Sequence, residues 1–309
     1  MLTVGVALSH APAMFVPIDE WPALHKELTG DVPQPAGLAD ETPEANAAAK
    51  ERIDAGLDHL AKTLEASRPD AVIIVGDDQS EVFGHAFNPT LAVYCGKQAE
   101  GHTLRRYKGK DNGLDHHLTL NCDNEFGFQL ATSLTERGFD PAVMTEIKPL
   151  TKPEGIGHAF TRPAHRLGLA DAGTPIVPVF LNGYHDPMPT GRRCWELGLA
   201  IREIADATDK RIAIMASGGL SHDPLGPRAG WIDHRLDRWV LDRIASDRAE
   251  DLTNLFAFDS DTLRGGSGEI RAWITVAAAF AGTRAEVVDY IPVHHSVTGL
   301  GLATWGASA

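Results

Sequence analysis

The sequence predicts a single α/β domain over residues 1–309, with a central mixed or mostly parallel sheet flanked by helices. Three observations predict it. Short β-branched runs such as Val72-Ile73-Ile74-Val75 lack apolar–polar alternation, which suits strands covered on both faces. Between such runs lie segments with a helical apolar stripe. No repeat, low-complexity tract or linker divides the chain, and its length suits one large α/β domain.

Composition narrows the function classes. A formal charge of −14 argues against a nucleic-acid partner, which needs clustered Lys and Arg. No apolar run approaches the roughly 20 residues that span a bilayer. The start, Met1 to Leu8, carries no basic residue and reads as a first strand rather than a signal peptide. Cys95, Cys122 and Cys194 are scattered and form no CxxC pair, so a cytoplasmic protein without a disulfide framework is expected. Fourteen histidines are the unusual feature, since imidazole both binds borderline metals and titrates near neutrality.

Taken in order, Thr3 to Leu8 is an apolar strand stopped by Ser9-His10-Ala11-Pro12, which sets His10 at a strand's carboxyl end. Met14 to Glu44 reads as an irregular surface excursion and a candidate lid, anchored by Trp21. Thr42 to Ala66 reads as a helix, with Thr42 as cap, Pro43 in the first turn and a stripe of Ile53, Leu57, Leu60 and Leu64. His59 belongs to its solvated side.

Pro69 to Gly76 is the clearest buried strand, and it ends in Asp77-Asp78-Gln79-Ser80-Glu81. Two adjacent acids repel each other unless a cation or hydrogen-bond donors compensate. Pro89 to Cys95 is a further strand. Gly96 to Asn124 reads as a polar connection in which His116 and His117 are solvated. A helix over Glu125 to Arg137 stops at Gly138, and Asp140 to Thr145 is a short strand.

Pro153 to Pro163 reads as a glycine-rich loop presenting His158. Thr174 to Leu181 is a strand ending at Asn182-Gly183-Tyr184-His185. Gly191 to Ala207 is a helix with Arg192 and Arg193 in its first turn, where cations oppose the helix dipole unless an anion lies nearby. The apolar run through Ile214 and Met215 stops at Gly218-Gly219 and delivers His222. Helices over Ile232 to Ser246 and Ile270 to Ala281 follow, the second preceded by Gly265-Gly266-Ser267-Gly268-Glu269. Val287 to Pro292 and Gly299 to Trp305 close the chain as two strands.

His10, Asp78/Gln79 and His222 thus follow strands, and Glu269 opens a helix. Each has a plain structural reading, as turn cap, loop residue or dipole partner. Together, two histidines and one carboxylate on one face make the arrangement of non-haem Fe(II) oxygenases. A histidine off the metal then serves as acid or base. Spacing alone leaves open which histidine does which.

The residues also carry a resemblance. Ser9-His10-Ala11-Pro12, the Pro69 to Val75 strand with Asp78, Gly157-His158 with Thr161 and Pro163, and Arg192-Arg193-Cys194 run nearly end to end with Gly218-Gly219-Leu220-Ser221-His222, Gly226-Pro227-Arg228-Ala229-Gly230 and Ser267-Gly268-Glu269. In this set the chain resembles the class III extradiol ring-cleavage dioxygenases, most closely the catalytic beta chains of the protocatechuate 4,5-dioxygenase type. The resemblance implies an Fe(II) enzyme that opens a catecholic, carboxylated ring with O₂ beside its two hydroxyls. It implies His10 and Glu269 as metal ligands, His222 as the catalytic acid/base and His158 as a second active-site histidine. Arg192, Arg193 and Arg228 are candidates for a substrate carboxylate. A homo-oligomer is expected, with room for a small partner subunit.

One position departs from the pattern. Where the family has Asp-His after the second strand, this chain has Asp78-Gln79. Gln79, or Asp77 or Asp78, then binds through oxygen, which opens the site to iron or another divalent metal; or His59, His116 or His117 fills the place; or the chain is a paralogue with altered chemistry. Two rivals to the dioxygenase therefore stand: a metal-dependent hydrolase or lyase in the same cleft, and a non-catalytic subunit.

Overall fold

The computed structural model describes residues 1–84, 86–104, 115–148 and 155–306. Eight strands form one mixed sheet in the order β6-β3-β7-β2-β8-β1-β10-β9, where β1 is Leu2–Leu8, β2 Ala71–Gly76, β3 Leu91–Tyr94, β6 Ala142–Met144, β7 Ile176–Leu181, β8 Ile212–Ser217, β9 Glu286–Val293 and β10 Thr298–Trp305. The remaining strands, β4 (Gln98–His102) and β5 (His117–Asn121), pair as a separate hairpin. Helices α1 (Trp21–Thr29), α2 (Pro43–Ser67), α3 (Asn124–Glu136), α4 (His158–Arg166), α5 (Leu169–Ala172), α6 (Gly191–Asp206), α7 (His234–Ala245) and α8 (Ile270–Ala279) surround the sheet. Among the described residues no helix is long and apolar enough to cross a membrane.

The four central strands β7, β2, β8 and β1 are parallel neighbours, so their carboxyl ends share one edge. Both faces are covered, which is why β2 shows no alternation of polarity. Val72 and Ile74 pack with Ile53, Leu57, Leu60 and Leu64 of α2, while Ile73 and Val75 pack with Ile201 of α6 and Trp273 of α8. Each such fully buried side chain contributes roughly 1.5–3 kcal/mol of transfer free energy. Thr42 caps α2 as the sequence predicts, its Oγ1 accepting the Ala45 N–H at 3.2 Å.

Three expectations change. The excursion from Met14 contains α1 and short 3₁₀ turns rather than structureless chain. Trp21 organises it, with its indole N–H donating to the carbonyl of Ala13 at 3.1 Å. Gly96 to Asn124 contains the β4–β5 hairpin, whose apolar residues Ala99 and Leu120 are too few to stand out in sequence. His158 is the first residue of α4 and not part of a loop. Pro163 inside that helix disguised it; Pro153 and Glu154 lie outside the described residues.

Candidate metal centre

The shared edge delivers His10 after β1, Asp77 and Gln79 after β2, Tyr184 after β7, and the 218–222 turn after β8. His10, Gln79, His158, Tyr184, His222 and Glu269 line a cavity of about 420 Å³. Asp77, buried beside His10, is not among the residues that line it. His10 Nε2 lies 3.8 Å from Asp77 Oδ1 and 3.6 Å from Glu269 Oε1. Those three residues each offer a ligand atom within 4.8 Å of the others.

The tautomer of His10 follows from the chain. Pro163 has no N–H, so it cannot bond the Ala159 carbonyl one helical turn earlier. The Ser217 hydroxyl donates to that carbonyl instead, at 2.5 Å. With its hydrogen committed, Ser217 Oγ accepts from His10 Nδ1–H at 3.0 Å. His10 Nε2 therefore carries a lone pair, and it has no hydrogen-bond partner although His10 is 3% exposed. Among the described residues, neither oxygen of Asp77, itself 2% exposed, bonds to another residue. Buried acceptors on His10 and Asp77 without donors are what a divalent cation fits. Burial, then the charges of Glu269, Glu81 and Asp78, push the Asp77 carboxyl well above its usual range.

Glu269 is held from several sides. Its Oε2 accepts the Gly219 N–H at 2.5 Å, and its Oε1 accepts from the Tyr184 hydroxyl at 2.9 Å and the Gln79 amide at 3.2 Å. Burial alone would raise this carboxyl, but the neighbouring His222 holds it well below its usual range. Gly218 is required here, because a Cβ on it would lie 2.7 Å from the Glu269 Cβ.

His222 Nδ1–H donates to the Leu220 carbonyl at 3.0 Å, which turns Nε2 toward Glu269 Oε1 (3.3 Å) and the Tyr184 hydroxyl (3.4 Å). Burial pushes its pKa down, but the Glu269 charge, the hydrogen bonds to Glu269 and the Leu220 carbonyl, and the Asp237 charge together raise it. A Cβ on Gly266 would sit 2.2 Å from His222 Nε2, so only glycine leaves the imidazole room. His158 Nδ1 pairs with Glu81 Oε1 at 2.7 Å, and its ring meets that of His10 edge-on at 4.8 Å between centroids. Burial pulls the His158 pKa to about 4 against the pull of Glu81, with Arg162 and His10 adding to the fall. His158 is thus neutral near pH 7.

The structure brings together His10, Gln79, Glu269, His222 and His158. Asp78 is engaged elsewhere: its carboxylate accepts the N–H groups of Val82 (2.8 Å) and Phe83 (3.0 Å) and caps that turn. Burial and Glu81 push its pKa to about 6 despite those donors. Arg192, Arg193 and Arg228 do not line the cavity. Arg193 stacks over Phe139 at 3.7 Å, and Arg228 bonds Thr262 beside a smaller pocket. His59, His116 and His117 are also outside the lining.

Three cavity features escaped sequence reading. Arg162 lines the cavity while donating to the carbonyls of His10 (2.7 Å) and Thr103 (2.8 Å). Glu81 sits behind His158, and Tyr184 touches Glu269. Tyr184 follows a strand just as His10 does, a signal that was available. Over the cavity, Glu27 and Leu28 of α1 meet Pro224 and Leu225. The Leu225 N–H donates to the Leu28 carbonyl at 3.1 Å, and the Trp231 indole to Pro33 at 2.8 Å.

Comparison with known proteins bears on this site. The model of the catalytic LigB subunit of aromatic ring-opening dioxygenase matches residues 6–303. A 2,3-dihydroxyphenylpropionate/2,3-dihydroxicinnamic acid 1,2-dioxygenase of Pseudomonas putida is 31% identical over 69% of this chain and 59% of its own. A Rhodococcus enzyme of the same name is 24% identical over 82% of this chain and 90% of its own. A gallate dioxygenase of Pseudomonas putida is 32% identical over 47% of this chain and 44% of its own. The chain spans between half and three fifths of the first relatives it matches. An uncharacterized Escherichia coli K12 protein, JW3007, shares the fold with TM-score 0.55 at 15% identity, over 97% of this chain and 99% of that one.

Proposed function

The chain belongs to the LigB family of aromatic ring-opening dioxygenases, and from that premise we propose that it is a divalent-metal, Fe(II)-type extradiol dioxygenase cleaving a catecholic, carboxylated ring with O₂. The observation that carries the reading is the convergence of His10, Glu269, His222 and His158 on one cavity of about 420 Å³. His10 Nε2 and Glu269 hold the metal, with a third donor from the turn after β2. When bound, the metal supplies the redox chemistry that joins O₂ to the ring.

The chain's own residues do the rest. His222, fixed through its Nδ1–H on Leu220, takes a proton from a substrate hydroxyl at Nε2 and returns it later. The Tyr184 hydroxyl lies within reach of that nitrogen and of Glu269. Neutral His158, steadied by Glu81, offers a polar edge that adds no charge near the metal. Arg162, held by the carbonyls of Thr103 and His10, lines the cavity and supplies positive charge for a ring carboxylate. Glu27, Leu28 and Leu225 cover the cavity and limit water.

Oxygen uptake by Fe(II)-loaded protein on a panel of catechols, with and without a carboxylate, tests the reading. Ring-opened product carrying both atoms of ¹⁸O₂ is expected. Turnover that persists without O₂ points instead to a hydrolase, and absence of turnover on every catechol refutes the assignment.

A further inference from the structure

We propose that the third protein ligand is the Asp77 carboxylate and not Gln79, so that the centre is a one-histidine, two-carboxylate site for a hard first-row dication. The inference deepens the dioxygenase reading and rests on its placing a metal between His10 and Glu269. Two independent features carry it.

The first is where the buried lone pairs point. His10 Nε2 and both Asp77 oxygens are buried without a hydrogen-bond partner, and His10 Nε2 is 3.8 Å from Asp77 Oδ1 and 3.6 Å from Glu269 Oε1. Ligand atoms held about 2.1 Å from one ion lie at most ~4.2 Å apart, so both pairs already fall within that span. Among the described residues no other residue donates to Asp77. A buried carboxylate so placed repels Glu269 until a cation joins them.

The second is what Gln79 does instead. Its amide N–H groups donate to Glu269 Oε1 (3.2 Å) and to the Tyr184 hydroxyl (3.1 Å). A carboxylate and an amide carbonyl both only accept, so the face of Gln79 turned to Glu269 is its NH₂. Gln79 is a positioning residue that orients a ligand. Exchanging an imidazole for a carboxylate makes the donor set oxygen-rich, which moves selectivity toward Mn(II) and away from the softer, nitrogen-favouring end of the series. It also leaves the bound dication without net charge.

Titration of metal-free protein with MnCl₂, followed by Mn(II) EPR and calorimetry, tests the assignment without turnover. Asp77→Asn keeps the shape and removes the charge. It is expected to weaken Mn(II) binding at least 100-fold, while Gln79→Ala changes it by less than about tenfold. Metal-free Asp77→Asn is expected to melt no lower than the wild type, because a repelled buried carboxylate has gone, and to lose the Mn(II)-induced rise in melting temperature. That melt separates ligand loss from misfolding. Asp77→Asn binding Mn(II) within threefold of wild type, Gln79→Ala losing it, or wild type binding no Mn(II) would each overturn the ligand set. Failure of the ring-cleavage assay with an intact Mn(II) titration would remove the dioxygenase reading and leave the metal site standing.

Discussion

Replacing Ser217 with alanine separates the stability of the site from its readiness for metal. The hydroxyl bridges two buried groups that lie 58 and 207 residues from it in sequence, donating to Ala159 O at 2.5 Å and accepting from His10 Nδ1 at 3.0 Å. Its removal strands one N–H and one carbonyl. At roughly 1–3 kcal/mol for each unsatisfied buried group, with some relaxation, Ser217→Ala should lose about 3 kcal/mol. For a chain of 309 residues that is a fall of roughly 5 °C in melting temperature. The freed imidazole can also take the Nε2–H tautomer and donate to Asp77 or Glu269, which removes the lone pair a metal needs. A 10–100-fold loss of divalent-metal affinity follows, as for other partners that fix a ligating histidine.

A companion substitution distinguishes the two effects. Pro163→Ala restores an N–H that can reach the Ala159 carbonyl within α4. In the double variant Ser217→Ala/Pro163→Ala the stranded carbonyl regains a donor, and a double-mutant cycle should show about 1 kcal/mol of favourable coupling. Metal affinity should stay low, because His10 Nδ1 still lacks an acceptor. Thermal melts and metal titrations of the four proteins check both. Ser217→Ala melting within 1 °C of wild type with unchanged affinity would refute the relay from Pro163 to His10.

Further outcomes follow from other contacts. His222→Gln should keep divalent-metal affinity within a few-fold yet lower oxygen uptake by roughly 10²–10⁴, the range for loss of a general acid/base; unchanged turnover would remove its role. Arg162→Lys should raise KM at least tenfold for carboxylated catechols and change it far less for catechol itself, and an equal change on both would mark Arg162 as structural only. Burial pushes the Asp237 carboxyl to about 6, above its unfolded value of 3.8, although it accepts from Ser221 and Tyr290. The folded state therefore binds the extra proton between those values, and stability from this group is present below the unfolded pKa and lost as pH rises through 6. That amounts to about 3 kcal/mol at the most. Asp237→Asn should flatten the pH dependence of chemical denaturation between pH 4 and 6 without destabilising the protein at pH 8.

What sequence could show here depended on how local the cause was. The Val72–Val75 run declares a doubly covered strand because burial on both faces acts on every residue in it. His10 and His222 are legible because strand ends in a parallel sheet share an edge. Glu81 and Arg162 were not, since their importance lies in contacts with His158 and with the carbonyls of His10 and Thr103, none of them neighbours in the chain. Three arginines looked promising by sequence, but a first-turn cation such as Arg193 finds its partner in the Phe139 ring rather than in a ligand. His158 was legible as a site histidine but not as the start of a helix, because the proline that breaks the helical pattern is also what frees Ala159 for Ser217.

The turn after β2 shows why a single exchange misleads when read alone. Asp77, Asp78 and Gln79 are consecutive, yet their side chains leave the strand end in three directions. Asp78 binds the backbone of the next turn, Gln79 reaches Glu269 and Tyr184, and Asp77 faces His10. On the proposed ligand set, glutamine at position 79 does not by itself empty a coordination position, because the same turn holds the Asp77 carboxylate. The paired acids that seemed an unfavourable repulsion in sequence are divided by the fold: one is capped by two N–H groups, the other is left without a donor beside a histidine lone pair. Repulsion that persists in a buried site marks where positive charge belongs, and on the proposed ligand set that place is Asp77.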